Sequence, residues 1–431
     1  MMVRKGCVSG KGCMFLIVIG ILLFTGVPVW GGVPQGDTVK LLLIPGRVVD
    51  AEGGGPVMFA SVFVEGTHVG TVSNSEGYFL LKVPLRYRGR KVVFSSIGYR
   101  TVRVPAELLV KADNVIRLHP DVIPLEPVVV EKLDPLKLLA EARSRIGRNY
   151  GREAAMMTAF YRESVRKRSK YLSVGEAVLD IYKAPYTGFA DDRVRIYKGR
   201  KAEYVTKEDT LMMKLQGGPA TIVQLDLVKH PGDILTPSAL SYYDFAMGGE
   251  VMIDGRRNWV IRFDQKDTVS LPLFRGNIYL DKETLALSAV EFSLSPKQIG
   301  KAAPYMVVRK PAGLKVEVLG ASYLVKYRYD RRRWVLNYMR TESRFSCKWE
   351  NRLFRSTYTI TSEAAITGVD FRHVERPRWR ETSRPSDIFI EEISAFSDPT
   401  FWGSDNVIRP EESIESAVRR IRRKLKRRGE D

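Results

Sequence analysis

The sequence predicts a mainly β protein, with an N-terminal β-sandwich followed by a larger antiparallel β domain that forms a curved sheet or half-barrel with short helices. The first observation is a series of short apolar or alternating runs, such as Lys91–Ser95, Tyr99–Val104 and Asn114–Leu118, separated by Gly, Pro, Asn and Ser. This spacing is typical of an antiparallel sandwich. The second is the longer alternating runs between Met156 and Val369, which favour one curved sheet of long strands. The third observation is the length of the chain. Its 431 residues are more than one ordinary domain contains, so we expect more than one domain.

Two segments have helical rather than alternating spacing. Asp134 followed by Pro135 predicts a helix start, and Leu138, Leu139, Ala142 and Ile146 then fall on one face. Near the C-terminus, an acidic start at 411–412 precedes a second amphipathic helix. We therefore predict a sandwich at 41–130, a connecting helix at 131–152, a β-rich domain at 153–400 and a basic amphipathic C-terminal helix at 401–431.

The N-terminal segment predicts export. Arg4, Lys5 and Lys11 precede an apolar run, Cys13–Phe24, and small residues follow it. This order is typical of a secretory signal peptide, here residues 1–32. An uncleaved membrane anchor is the alternative, although the run is short for a span of about 20 residues. We expect a periplasmic protein or one at the periphery of the outer membrane.

The net charge limits the expected classes of binding partner, and the cysteine content limits the expected disulfides. The formal net charge is +20, and a basic exported protein meets anionic lipid, lipopolysaccharide or acidic glycans before nucleic acid. Without a recognisable nucleic-acid-binding module we expect no nucleic-acid partner. Removal of the leader would leave Cys347 as the one cysteine, so no intramolecular disulfide is expected.

The first mature domain resembles the carboxypeptidase regulatory-like domain. The matching segments follow in order along the chain: Gly46–Asp50, Ala60–Thr67, Gly70–Ser73, Gly77–Phe79 and Ser95–Tyr99. The resemblance implies an Ig-like or transthyretin-like β-sandwich of about seven strands.

Most of the remaining chain is similar to envelope proteins of Gram-negative bacteria that carry this domain at their N-terminus. The segments that carry the similarity are Thr158–Glu163, Glu176–Tyr182, Phe401–Ile408 and Pro410–Ile414. It implies an envelope setting and no established activity. The stretch Ile278–Leu294 is also similar in pattern to half-barrel lipoprotein carriers.

A search for catalytic patterns predicts that the chain is not an enzyme. A zinc carboxypeptidase needs His and Glu on one short turn with a distant His, but none of His68, His119, His230 and His373 has Glu three residues later. No G-x-S-x-G elbow or phosphate-binding loop occurs. Ser164 and Lys167 fit S-x-x-K without its companion motifs. We expect no metal and no cofactor.

The C-terminal helix contains the candidate site residues for binding an anionic surface: Arg419, Arg420, Arg422, Arg423, Lys424, Lys426, Arg427 and Arg428. Each is worth about 1 kcal/mol near a charged membrane. The alternative is a solvated helix whose apolar stripe packs on the body. The β-rich domain offers a second candidate, aromatic residues that either line a glycan or lipid site or pack between strands: Tyr323, Tyr327, Tyr329, Trp334, Tyr338, Trp349 and Tyr358.

Three functions remain open from the sequence. The first is a non-catalytic structural or interaction protein of the envelope, with the sandwich as a docking module for envelope proteins or an anionic surface. The second is a periplasmic carrier of lipid or another amphiphile in a half-barrel second domain. The third is a hydrolase.

Overall fold

Strands dominate the computed structural model, which describes residues 40–110, 112–121, 133–203, 218–307, 310–395 and 401–428, without the side chains of 233, 395, 422 and 424–428. Residues Val39–Asp431 form one compact unit. The predicted signal peptide lies outside the described residues, as do the boundaries predicted near 130 and 400. So does the apolar stretch 128–130, which the sequence predicts to be either the last strand of the sandwich or a linker.

The first seven strands form the sandwich: β1 Leu41–Asp50, β2 Ser61–Val64, β3 Gly70–Val72, β4 Tyr78–Pro84, β5 Lys91–Ser95, β6 Val102–Pro105 and β7 Asn114–Leu118. One sheet has the order β4-β1-β7 and the other β3-β2-β5-β6. Apolar side chains from both sheets, among them Val48, Val62, Phe79 and Phe94, make a buried core between them. This confirms the predicted sandwich.

Strands β8–β18 form the large sheet: β8 Ala155–Lys167, β9 Lys170–Lys183, β10 Arg193–Glu203, β11 Tyr243–Ile253, β12 Arg256–Gln265, β13 Phe274–Asp281, β14 Leu287–Leu294, β15 Leu314–Asp330, β16 Arg333–Trp349, β17 Ser356–Asp370 and β18 Ser394–Ala395. Their order is β11-β12-β13-β14-β15-β16-β17-β8-β9-β10-β18. All neighbours are antiparallel except β10 and β18. The predicted large antiparallel domain is confirmed.

Helices are short apart from the first and the last: α1 Pro135–Ser144, α2 Ile146–Asn149, α3 Pro219–Ile222, α4 Gly232–Leu235, α5 Pro237–Leu240, α6 Ala303–Met306 and α7 Glu412–Arg428. Single 3-10 turns occur at Leu85–Tyr87, Ala106–Leu109, Val223–Leu225, Pro296–Lys301, Trp379–Glu381 and Phe389–Glu391. Asp134 caps α1 as predicted, because its side chain accepts a hydrogen bond from the Leu136 amide. No described helix has the length and apolar character needed to cross a bilayer.

Side-chain alternation gives the large sheet two different faces. We call one the helix-covered face, because α1 and the segment 218–240 pack on it through Leu139, Ile222 and Val228. The opposite face is the sandwich-covered face, where Val72 of the sandwich packs near Phe160 and the C-terminal segment. Successive residues of a strand point to opposite faces, so Tyr161 faces the helices while its neighbours face the sandwich.

Candidate functional site: the cleft between the sandwich and the large sheet

Buried polar contacts attach the sandwich to the large sheet. The ammonium group of Lys326 donates to the Phe59 carbonyl at 2.9 Å and to the Ser61 hydroxyl at 3.1 Å. Asn337 donates to the same hydroxyl at 2.9 Å, and the Arg328 guanidinium lies 4.4 Å from the centre of the Phe63 ring. The predicted docking module therefore docks, on this side, onto the large sheet of its own chain.

The C-terminal segment before α7 joins both parts. Asn406 accepts a hydrogen bond from the Lys82 amide at 2.7 Å, and the Thr71 hydroxyl donates to the Val407 carbonyl at 3.0 Å. Beneath it, Arg162 is 2% exposed and binds Glu176 and Glu363 at 2.9 and 3.2 Å. Burial opposes the charge of Arg162, but these carboxylates outweigh it and raise its pKa. A buried cation with satisfied partners holds this junction together.

An open cleft of about 890 Å³ remains where the sandwich and the sandwich-covered face separate. Residues from both parts line it: Pro56, Val57, Met58, Phe59, Ser96, Ile97 and Tyr99 from the sandwich, and side chains of β12–β16 from the sheet. Ligand sites are commonly clefts of about 300–1,000 Å³ between domains. This cleft is therefore the candidate binding site.

Two exposed arginines stand on the sheet side of the cleft. Arg262 lies on β12 and Arg275 on β13. Neither guanidinium has an ion pair or a hydrogen bond to any described residue, whereas Arg162, Arg200 and Arg340 of the sandwich-covered face are paired with carboxylates. Such groups are available to a ligand that carries carboxylate or phosphate, because a guanidinium binds these in a two-pronged geometry.

Deeper in the cleft, the charged side chains are bound to neighbouring side chains of the protein. Burial lowers the pKa of Lys326, and the nearby carboxylates of Asp254 and Glu291 partly oppose that shift. The Glu291 carboxylate accepts a hydrogen bond from Tyr279 at 3.0 Å. Arg340 is paired with Glu342 at 2.9 Å. The floor is thus a preorganised polar surface rather than an apolar groove.

The backbone of Phe59, at the edge of the cleft, has a strained conformation. Its φ is +54°, a conformation that costs a bulky residue about 1–3 kcal/mol. The ring stacks on Tyr338, with centroids 5.7 Å apart, and the Arg340 guanidinium lies 4.7 Å from its centre. Strain of this kind persists only where the surroundings hold the residue, so the position of this aromatic wall is tightly determined.

The helix-covered face has a different buried ionic cluster. Lys183 binds Asp192 and Asp226 at 2.5 and 2.6 Å, and the Tyr327 hydroxyl donates to Asp226 at 2.8 Å. Burial disfavours the charged form of Lys183, but the two carboxylates raise its pKa overall. Since Asp226 belongs to the covering segment, the cluster fastens that segment to the sheet.

Two cavities on the helix-covered face are small. One of about 210 Å³ lies between α3 and strands β15–β17, and another of about 140 Å³ lies beside α1. Neither reaches the roughly 300 Å³ at which ligand pockets begin.

The predicted anionic-surface residues lie on α7, which begins at Glu412, because residues 401–411 form turns and extended chain against the sheet. Ile414, Ala417 and Ile421 are buried, so the apolar stripe packs on the body. Arg419, Arg420 and Arg423 are exposed. The side chains of Arg422, Lys424, Lys426, Arg427 and Arg428 lie outside the described ones.

The predicted aromatic candidates mainly pack. Tyr327, Trp334, Tyr338 and Tyr358 are at most 4% exposed. Tyr323 borders the cleft through its backbone, but its ring is stacked on Phe292, with centroids 4.7 Å apart, and packs on the core of the helix-covered face. The two cleft arginines were missed by sequence reasoning, although alternation with Ile261, Phe263 and Phe274 could have placed them opposite the apolar core.

The histidines do not form a cluster. His68 lies 3.2 Å from Asp330, His230 3.6 Å from Asp192, and His373 2.8 Å from Asp370. No three His, Cys, Asp or Glu side chains in the described part of the chain have an arrangement that could hold a metal ion.

Comparisons with solved structures give weak likenesses. A domain of a protein assigned to outer-membrane lipoprotein sorting, from Vibrio parahaemolyticus, is 12% identical, covers 56% of this chain and 95% of its own, and has a TM-score of 0.25. A DUF1329 family protein from Desulfovibrio piger is 14% identical, with coverage of 57% and 96% and a TM-score of 0.23. MucB in complex with MucA is 13% identical, covers 52% of this chain and 91% of its own, and has a TM-score of 0.17. Such low TM-scores carry no argument about function.

A search of curated proteins found no significant match. Residues 44–130 match the family model of the CarboxypepD_reg-like domain. That range covers all but the first residues of the observed sandwich. The chain therefore contains a CarboxypepD_reg-like domain, as its sequence segments predicted.

Proposed function

We propose that this protein is a non-catalytic binding protein of the cell envelope, whose sandwich and large sheet together form a cleft for an anionic glycan. One observation carries the proposal. Arg262 and Arg275 are exposed in a cleft of about 890 Å³ and have no partner among the described residues.

The lining favours an acidic sugar over an apolar ligand. Guanidinium groups bind carboxylate or phosphate, while Tyr99 and Phe59 offer aromatic surface. Asn277 and Ser322 add neutral polar groups. A ligand with both a flat hydroxylated ring and negative charge would use all three kinds of group.

An envelope location is part of the proposal and rests on the sequence. The basic residues and the apolar run before residue 32 are typical of an export signal. In the envelope, a protein with a formal charge of +20 encounters acidic glycans and anionic lipid at high density.

The non-catalytic part of the proposal rests on how the polar groups are used. Lys183, Asp192 and Asp226 pair with one another in the interior, and Arg162 pairs with Glu176 and Glu363. Each ionic cluster joins segments of the fold, and none of these paired side chains lines the cleft. The amphiphile-carrier alternative is less favoured, because two cavities beneath the covering helices measure only about 210 and 140 Å³, and a larger one of about 370 Å³ lies beside residues 351–354 at one end of the sheet.

Calorimetric titration with acidic and neutral oligosaccharides tests the proposal. The probes are a carboxylated oligogalacturonate, a phosphorylated maltooligosaccharide and unmodified maltooligosaccharide. We expect binding of at least one acidic probe and a loss of roughly tenfold or more in affinity for Arg262→Gln with Arg275→Gln. Arg117→Gln is the matched control, because Arg117 is exposed on the sandwich away from the cleft.

Equal binding of the neutral and acidic probes, or no binding of any, would contradict the assignment. So would an unchanged affinity in the double variant. Mass spectrometry of the recovered oligosaccharide should show intact chains, and cleavage products would instead support the hydrolase alternative.

A further inference from the structure

A loop at one end of the large sheet exposes two large apolar side chains. This tip loop, residues 350–355, joins β16 to β17. Leu353 is 87% exposed and Phe354 is 80% exposed. Exposed apolar side chains that lie together are typical of an interaction surface.

The neighbouring loops hold the tip loop in a defined position. The Arg168 amide, in the β8–β9 turn, donates to the Thr357 carbonyl at 2.7 Å, and its guanidinium donates to the Arg355 carbonyl at 3.1 Å. On the other side, the Glu350 amide donates to the Gly313 carbonyl at 2.9 Å. Three connections of the sheet therefore meet at this end.

These three connections are strongly basic. Residues 167–170, 311–317 and 348–355 contain seven cations and two carboxylates. The cations are Lys167, Arg168, Lys170, Lys315, Lys348, Arg352 and Arg355. Both carboxylates are already paired, Glu317 with Arg355 and Glu350 with Lys315. The surplus charge surrounds the exposed apolar pair.

A cavity of about 370 Å³ opens behind the tip loop. Leu314, Trp349 and Tyr358 give it an apolar lining, and Lys167 and Arg352 lie at its wall. Apolar surface beside cationic groups matches the boundary between acyl chains and anionic headgroups.

We propose that the tip loop docks the protein on an anionic lipid bilayer, with Leu353 and Phe354 inserted below the headgroups and the surrounding cations bound to them. Charge complementarity selects this occupant. A second copy of the same chain would bring together two surfaces with the same surplus of positive charge. This contact is separate from the cleft and from α7, so it does not depend on the proposed glycan site.

Co-sedimentation with 100-nm vesicles tests the inference, using the compact unit from Val39 to Asp431 so that the apolar N-terminal run does not contribute. Vesicles of phosphatidylcholine with phosphatidylglycerol are compared with phosphatidylcholine alone. We expect binding to the anionic vesicles, reduced roughly tenfold or more by Leu353→Ser with Phe354→Ser. Lys170→Gln with Lys348→Gln should weaken binding at low salt and have little effect at high salt.

Leu108→Ser is the matched control, since Leu108 is 65% exposed on the sandwich and its replacement should leave vesicle binding unchanged. Equal urea midpoints for all variants would exclude unfolding as the cause of a loss. The inference is overturned if the Leu353 and Phe354 variant binds like the parent protein or if neutral vesicles bind as well. A change from dimer to monomer in light scattering, with vesicle binding intact, would assign the tip loop to a second copy instead.

Discussion

The two faces of the large sheet bury their surfaces by different means. On the helix-covered face, Ile278, Leu280 and Val325 pack beneath helices, and the buried ionic groups include the cluster around Lys183 and the Glu163 carboxylate, which accepts a hydrogen bond from the Gly218 amide. On the sandwich-covered face, charged side chains such as Arg162 and Lys326 are buried with the polar groups that they bind. Apolar packing is tolerant of small changes, whereas a buried charge requires its particular partners. The sandwich-covered face should therefore be the more sensitive to substitution of one polar atom.

Loss of the Arg162 cation should have the largest effect. Arg162→Met leaves Glu176 and Glu363 buried without their shared partner, and we expect the free energy of unfolding to fall by about 3–5 kcal/mol. Urea denaturation measures it, with the exposed Arg117→Met expected to stay within about 0.5 kcal/mol of the parent. A similar, small change in both variants would show that this network contributes little to stability.

A single hydroxyl on the helix-covered face should matter less. Tyr327→Phe removes one donor to Asp226, which keeps Lys183 and the Tyr186 hydroxyl as partners. We expect a loss of about 1–3 kcal/mol in the free energy of unfolding. Tyr323→Phe is the control, because no described residue is hydrogen-bonded to its hydroxyl. If both variants lost the same amount, the Asp226 contact would not be responsible.

Acidification should weaken the junction of sandwich and sheet through His68. Burial lowers its pKa from 6.5, Asp330 and Asp370 oppose the shift, and Arg328 and Arg331 reinforce it. The unfolded chain therefore binds a proton near pH 6.5 that the folded chain resists. Stability should fall as the pH drops through 6.5, by less than about 1.4 kcal/mol per pH unit.

The variant that tests this pH dependence is His68→Asn, which removes the titrating imidazole. Urea unfolding at pH 8, 6.5 and 5 should show a smaller difference between pH values in the variant than in the parent protein. Identical pH profiles would mean that His68 titrates equally in the folded and unfolded chains.

The smallest effect on stability should come from the C-terminal helix. Arg419→Gln, Arg420→Gln and Arg423→Gln together remove exposed charges, so the free energy of unfolding should change by no more than about 0.5 kcal/mol. Binding to anionic vesicles should weaken by up to about 1 kcal/mol per residue at low salt. Sedimentation with vesicles measures this, and unchanged binding would favour the solvated-helix alternative.

Several local elements could be predicted from their own residues. The observed strands β5 and β7 coincide with Lys91–Ser95 and Asn114–Leu118, because alternation and flanking turn residues mark both ends. The run Tyr99–Val104 was less well predicted. Its strand begins only at Val102, since Gly98 has a φ of +79° in a turn and the Tyr99 hydroxyl binds Asp50.

The candidate cleft was not predictable in the same way. Nothing in the residues around Phe59 signals a positive φ, because that conformation is imposed by contacts with Tyr338 and Arg340, distant in sequence. Arg162 lies between Tyr161 and Glu163 on β8, and because its side chain is charged, the sequence alone would place it at an exposed position. It is buried only because the Ile408 carbonyl and Glu411 come to lie beside it.

The sequence by itself determined the sandwich, the long alternating strands and the apolar stripe of the last helix, because each depends on the spacing of neighbouring residues. Only the tertiary structure decided which polar strand face is buried, which arginines have no partner among the described residues, and where the apolar tip loop lies. Alternation assigns a side chain to a face of a sheet, but burial and pairing depend on segments that arrive from hundreds of residues away.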